Sequence, residues 1–388
     1  MISSAPSKPL LDLLDYIEKE RFEGYDPYDA LNSPYLIKLK NKWLRVAFTV
    51  FFRLSPVNLR KMFRIPKGTN SKAMGLLLSA YTLLHRLGHD SSLDRAKDVF
   101  HWIRQNSTRG YSGCCWGYNF SWQDRNRLLA RGTPTIVNTA FVGHGLLDYY
   151  GATQDRDALD TARSACDFIL QDLNRRETGY GICFSYNPVE KNIVHNANVL
   201  GASLLARVYA HTREQELLEP AIKSFDFTLH HQHESGLWAY SQFPETGKER
   251  FQTDWHQGFI LDCLMWFMEA VHPPDEKYRK ALKAGAGSYK IQFTDEGISF
   301  WRHPRRWPID IHNQAQGIIT FSKLEKYFPG SNAMAEKIAQ WTLENMRNKK
   351  RGYYYYEKWP LMTNRISYLR WGQAWMLLAL ATLTTRSP

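Results

Sequence analysis

Two kinds of apolar pattern alternate along the chain. In the first, apolar residues fall at i, i+3, i+4 and i+7 with charges between them, as in a helix with one buried face. SSLDRAKDVFHWIRQN, DALDTARSACDFILQDLN, EQELLEPAIKSFDFTLHHQ, DEKYRKALKAGAGSYKIQF and NAMAEKIAQWTLENMRN belong to it, and LLDLLDYIEKERF opens the set. Several begin with Asp, Ser or Asn, whose side chains cap free N–H groups. The second kind is apolar on most sides: SKAMGLLLSAYTLLHRLG, TPTIVNTAFVGHGLLDYY, HNANVLGASLLARVYAHT, DWHQGFILDCLMWFMEAV, DIHNQAQGIITFSKLEKYF and RWGQAWMLLALATL. Such helices must be surrounded by other helices.

A Gly-aromatic turn and a short aromatic stretch precede each apolar helix after the first. A cluster of His, Asn or Gln then opens the helix. Asn138, Asn198, Gln257, Gln314 and Gln373 mark these openings in steps of 60, 59, 57 and 59 residues. A two-layer solenoid of the tetratricopeptide type repeats every ~34 residues, too short for this period. Six apolar helices ringed by six amphipathic ones satisfy both patterns. The sequence therefore predicts an all-α fold, an (α/α)6 toroid, in one domain spanning residues 1–388.

In such a ring the inner helices run the same way. Their N-termini and the loops before them meet at one rim, where free N–H groups suit anions. IDIHNQAQG, at Ile309–Gly317, puts Asp310 and His312 there, and Asp254 and His256 are a near copy one repeat earlier. A single D-x-H reads most simply as a helix cap; two at matching repeat positions point to a site. His195 and Asn196 hold a third such position. Proton-transfer chemistry would draw its base from His256, His312 or Tyr368 and its cation from Arg370. Hydrolysis would instead pair Asp254 with Asp310. Trp116, Trp255, Tyr356 and Trp371 are candidates for stacking on sugar rings, and His195, Asn196, Asn313 and Gln314 for hydrogen bonds to hydroxyls and carboxylates. His144 reads as a core histidine, and His230–His233 as a solvated helix end rather than a metal site.

Composition adds constraints. With 44% hydrophobic and 14% aromatic residues, a sizeable core is expected. Five cysteines without a CxxC pair argue against a disulfide framework or zinc site and for a reducing compartment. No leader segment and no membrane-spanning stretch is read. The net charge of +12 is concentrated: Ala30 to His89 holds eleven Lys or Arg and no acid, leaving 12 − 11 = +1 for the rest. Within this basic amphipathic segment, at about 30–70, residues 43–68 read WLRVAFTVFFRLSPVNLRKMFRIPKG. They suit a helix packed over the core, an anionic membrane surface or an anionic substrate. No nucleic-acid module is present, so nucleic acid is not an expected partner. No phosphate loop or dinucleotide fingerprint implies a cofactor, and none is expected.

YDPYDALNSPY, SPVNLRKMFRIPKGTNSKAMGLLLSAY, RGYSGCCWGYNFSWQ and YLRWGQAWMLLALATL resemble bacterial polysaccharide-biosynthesis proteins of the VpsJ type, whose relatives often carry the label delta-aminolevulinic acid dehydratase. The resemblance covers nearly the whole chain. It implies a role in exopolysaccharide or surface-glycan production and carries no residue roles across. More loosely, the repeat resembles α/α-toroid carbohydrate enzymes such as the helical domain of glucuronyl C5-epimerases, unsaturated glucuronyl hydrolases and N-acylglucosamine 2-epimerases. The leading expectation is an enzyme that epimerises or eliminates on a uronic-acid-containing glycan or a lipid-linked oligosaccharide. The alternatives are a glycoside hydrolase, a non-catalytic glycan-binding or scaffold subunit, and a monosaccharide 2-epimerase. The expected location is the cytoplasm, with peripheral contact at the inner membrane face.

Overall fold

The computed structural model describes residues 7–123, 128–243 and 245–385. The first six residues, part of the stretch read for a leader, lie outside this range. Thirteen α-helices stand among the described residues: α1 (Lys8–Lys19), α2 (Lys42–Leu54), α3 (Ser71–Arg86), α4 (Ser91–Gln105), α5 (Ile136–Thr153), α6 (Arg156–Asp167), α7 (His195–Thr212), α8 (Gln215–His230), α9 (Trp255–Ala270), α10 (Glu276–Lys290), α11 (Ile311–Leu324), α12 (Asn332–Asn345) and α13 (Ala374–Thr384). Helix α3 packs on α5, α5 on α7, α7 on α9, α9 on α11, α11 on α13, and α13 back on α3. The ring closes. Helices α4, α6, α8, α10, α12 and α1 form the outer layer, each against its inner partner. The fold is thus the (α/α)6 toroid, with α2 as an addition.

Burial follows the two sequence patterns. Helix α7 is buried without a break from His195 to Ala206, whereas α6 buries one stripe, Ala158, Leu159, Ala162, Ala165 and Cys166. Where α3 meets α5 the backbones nearly touch: a Cβ on Gly75 would sit 2.6 Å from the Phe141 carbonyl oxygen. Only glycine permits that approach.

Four of the five amides that mark the repeat clamp the backbone of the preceding loop; the side chain of Asn138 meets no hydrogen-bond partner among the described residues. Gln257 Oε1 accepts from Trp238 N–H at 3.1 Å, and its Nε2 donates to Trp238 O at 2.8 Å. Gln373 holds Tyr354 in the same way, at 2.9 and 2.8 Å. Gln314 accepts from Ser299 N–H and donates to Gly297 O; Asn198 accepts from Phe184 N–H and donates to Ser224 O. In the earliest of these repeats the hydroxyl of Thr139, next to Asn138, accepts from Trp116 N–H. These groups therefore stand behind the rim rather than on it, because each satisfies a buried loop amide. Trp116 and Trp238 behave alike. Their indole N–H groups donate to Ile103 O and Thr228 O, carbonyls in the last turns of α4 and α8.

The basic segment folds around its own small cluster of Ala30, Leu31, Leu36, Phe52 and Ile65. Arg60, fully buried there, pairs with Asp29 at 2.8 Å. Among the described residues no helix is long and apolar enough to cross a membrane, and the five cysteines are free. His144 Nε2 meets Ser203 Oγ at 3.1 Å, as a core histidine would.

Candidate active site

The rim formed by the N-termini of the inner helices encloses a cavity of about 270 Å³. Every inner element reaches it: Lys72 from α3, Val137 from α5, Asn196 from α7, Trp255, His256 and Phe259 from α9, His312 from α11, and Arg370 and Trp371 from the wide turn Leu369–Gln373 before α13. Tyr118, Tyr186, Tyr240, Trp301 and Tyr356 come from the loops, and Arg53 from α2. The walls are aromatic, and the charges converging on them are mostly positive.

The two D-x-H copies share a cap and differ in what the carboxylate does next. Asp254 and Asp310 are N-caps, accepting from His256 N–H at 3.2 Å and His312 N–H at 2.8 Å. Asp254 also meets the ring Nδ1 of His256 at 2.5 Å, and Arg302 lies 3.5 Å from its second oxygen. The carboxylate is wholly buried, while the imidazole keeps part of its surface open to the cavity. With Nδ1–H donated to Asp254, Nε2 is the basic nitrogen left for a ligand. Asp310 instead accepts from the indole N–H of Trp371, at 3.0 and 3.2 Å. The His312 ring lies flat against Trp255, centroids 4.8 Å apart. Neither of its nitrogens meets a donor or acceptor among the described residues. Burial, reinforced by the nearby charge of Lys72, holds His312 well below the usual imidazole range, so it is neutral.

Asp310 has a second carboxylate for company. Glu357 faces it directly across the paired strands Ile309–Asp310 and Glu357–Lys358. Burial and the charge of Glu357 push the Asp310 carboxyl well above its ordinary range. Burial likewise raises Glu357, to about 7, against the lowering influence of the Trp359 N–H and Arg53. Two carboxyls so placed hold a proton at neutral pH.

Lys72 is the most unusual group in the lining. It is only 3% exposed. Its ammonium lies 4.5 Å from the ring centre of Phe141 and 5.1 Å from those of Phe259 and Trp375. Desolvation, then the charge of Arg370, lowers its pKa well below the lysine range. An aromatic cage stabilises the cation in part. The remainder of the cost is one an anionic ligand would relieve.

The expected site residues divide. Asn196, Trp255, His256, Asp310, His312, Tyr356, Arg370 and Trp371 line the cavity. Asp254 stands immediately behind His256. Asn313 stands behind Trp255, accepting from its N–H at 2.8 Å and donating to Phe300 O. Four others lie away from the lining. Trp116 and Gln314 are spent on the backbone contacts described above. His195 is buried against Phe227 and His231, and burial lowers it to about 3. Tyr368 is 1% exposed beside Arg60, and burial raises its phenol far beyond the range of a base. Arg370 reaches the lining but is held by Asp26 at 2.6 and 2.8 Å, which neutralises most of its charge. Sequence reading missed Lys72, Arg250, Arg302 and Glu357, which sit in no recurring motif; Arg53 belongs to the basic stretch 43–68, read there as suited to an anionic surface or substrate. A lysine opening an otherwise apolar inner helix was the one available signal. Among the described residues no group of His, Cys, Asp and Glu is placed to hold a metal ion.

Comparison with protein-family models and with curated proteins gives no match. Solved structures do match. A possible member of the GH105 family from Salmonella enterica superposes with a TM-score of 0.67 at 12% identity, covering 97% of this chain and 93% of that one. A sugar epimerase from a ruminal bacterium gives 0.66 at 13%, covering 84% and 91%. A GH76 alpha-mannanase from Bacteroides thetaiotaomicron gives 0.63 at 17%, covering 81% and 86%. At these identities the likeness is one of fold.

Proposed function

We propose that the protein is a carbohydrate-active enzyme that removes a proton from carbon on an anionic sugar, epimerising or eliminating at C5 of a uronic acid unit. The observation that carries this reading is the Asp254–His256 pair. A buried carboxylate fixes the tautomer of an imidazole whose other nitrogen is left for substrate in an aromatic cavity. Arg53, Arg250 and Arg302 in the lining, with Lys72 beside them, outweigh the proton-sharing Asp310–Glu357 pair and favour an anionic substrate.

In this reading His256 Nε2 takes the C5 proton, and the electron pair moves into the sugar carboxyl group. Arg302, beside the pair, and Lys72 stabilise the charge that develops there. Return of a proton to the opposite face gives the epimer. Loss of the C4 substituent gives the unsaturated sugar, with the Asp310–Glu357 pair donating a proton to the departing oxygen. An acid titrating near 7 suits that step. A place in exopolysaccharide or surface-glycan production is part of the proposal and is supported by the sequence resemblance. Location in the cytoplasm is supported by five unpaired cysteines.

The test is proton NMR of uronic-acid-containing oligosaccharides in D2O. Loss of the C5–H signal, abolished by His256→Ala, is the expected result. A second reading has its own observation. The facing carboxyls of Asp310 and Glu357 could work as a glycosidase pair, in place of Asp254 and Asp310, because Asp254 is committed to His256. New reducing ends without C5 exchange, lost in Glu357→Gln and kept in His256→Ala, would select it. Binding with neither exchange nor cleavage would select a glycan-binding subunit.

A further inference from the structure

Helix α2 has two apolar faces, and only one is covered. Phe48, Thr49 and Phe52 turn toward the small cluster of the basic segment. Trp43, Leu44, Val50, Phe51 and Leu54 face solvent, and Trp43 and Leu54 are 55% and 51% exposed. At about 100° per residue these positions form one stripe roughly 120° wide, opposite Phe52. Beyond the helix Val57 and Met62 are also exposed, at 61% and 66%. A patch of this kind on an otherwise well-packed molecule marks a surface that meets something apolar.

The charges around the stripe identify the partner. Lys38, Lys40, Lys61 and Arg64 are exposed about it, and no acid occurs from Ala30 to His89. A second copy would set one basic face against another. We propose that the α2 face docks on an anionic lipid bilayer. Its Trp, Leu and Phe side chains enter the boundary between headgroups and acyl chains, and its lysines and arginines lie at the phosphates. Arg53, on the flank of the same stripe, lines the cavity. Docking therefore brings the cavity's edge to the membrane, where a glycan carried on a lipid would be met. Only that last step rests on the function proposed above; the docking does not.

The test is co-sedimentation of the full chain with phosphatidylcholine vesicles, with and without phosphatidylglycerol. The wild-type protein is expected to bind the anionic vesicles. Phe51→Ser with Leu54→Ser is expected to weaken that binding about tenfold or more, since two buried apolar side chains are lost. These side chains already face water, so an unchanged circular dichroism spectrum and Tm confirm folding. Turnover of soluble oligosaccharides by the double variant should match the wild type, which separates docking from catalysis. No binding to anionic vesicles, or undiminished binding by the double variant, overturns the proposal. So does a dimer without vesicle binding that the double variant converts to monomer, which would make the stripe a self-interface.

Discussion

Lys72 is an almost buried amine on the cavity wall, 3% exposed, with no carboxylate in an ion pair with it among the described residues. Such a group is costly to the fold and is kept where it serves a ligand. Lys72→Met is therefore expected to raise Tm by a few degrees while lowering kcat/KM for an anionic sugar about tenfold or more; calorimetry and steady-state kinetics on one preparation check both. Glu357 gives a pH signature. Its folded pKa of about 7 lies above the ordinary 4.5, so between those values the folded protein holds a proton that the unfolded chain has released. Stability from this group therefore falls as pH rises through that window and levels off above it. Glu357→Gln should flatten that slope, and its gain over the parent should be largest above pH 7. Urea midpoints at a series of pH values measure this.

At the level of the helix and its loop, four side-chain amides fasten the aromatic loops to the inner ring. Gln257→Ala would leave the buried N–H and C=O of Trp238 without partners. The expected cost is about 2–4 kcal/mol, with protease cleavage near Trp238 as a second readout. The same residues show what a sequence can reveal. The spacing of about sixty residues was legible because a clamp must recur wherever the loop recurs. Its purpose was not, since a glutamine that holds a backbone and one that holds a sugar look alike in one dimension. The D-x-H copies brought His256 and His312 to one cavity as expected. Their divergence, one carboxylate turned to imidazole and the other to indole, depends on Trp371, 61 residues beyond Asp310. Glu357 was illegible for a similar reason: it reaches Asp310 only through a strand pairing that two-residue strands do not announce.

The ring as a whole is closed by contacts between distant parts of the chain. Helix α13 packs on α3, Asp12 of α1 meets Arg347, and Asp26 holds Arg370 across 344 residues. Asp26→Ala would strand a buried guanidinium, at an expected cost of about 3–5 kcal/mol. It should lower Tm and loosen the Trp371 side of the cavity together, which thermal melts and glycan affinity would register. The closed ring also governs how the protein is made. While the ribosome is still extending the chain, α3 and α11 each present an oily flank with no neighbour, and they stay bare until α13 emerges. Chains truncated before Ala374 should therefore be sticky and held by chaperones, whereas a released chain that includes α13 can shut the circle and hide both flanks at once.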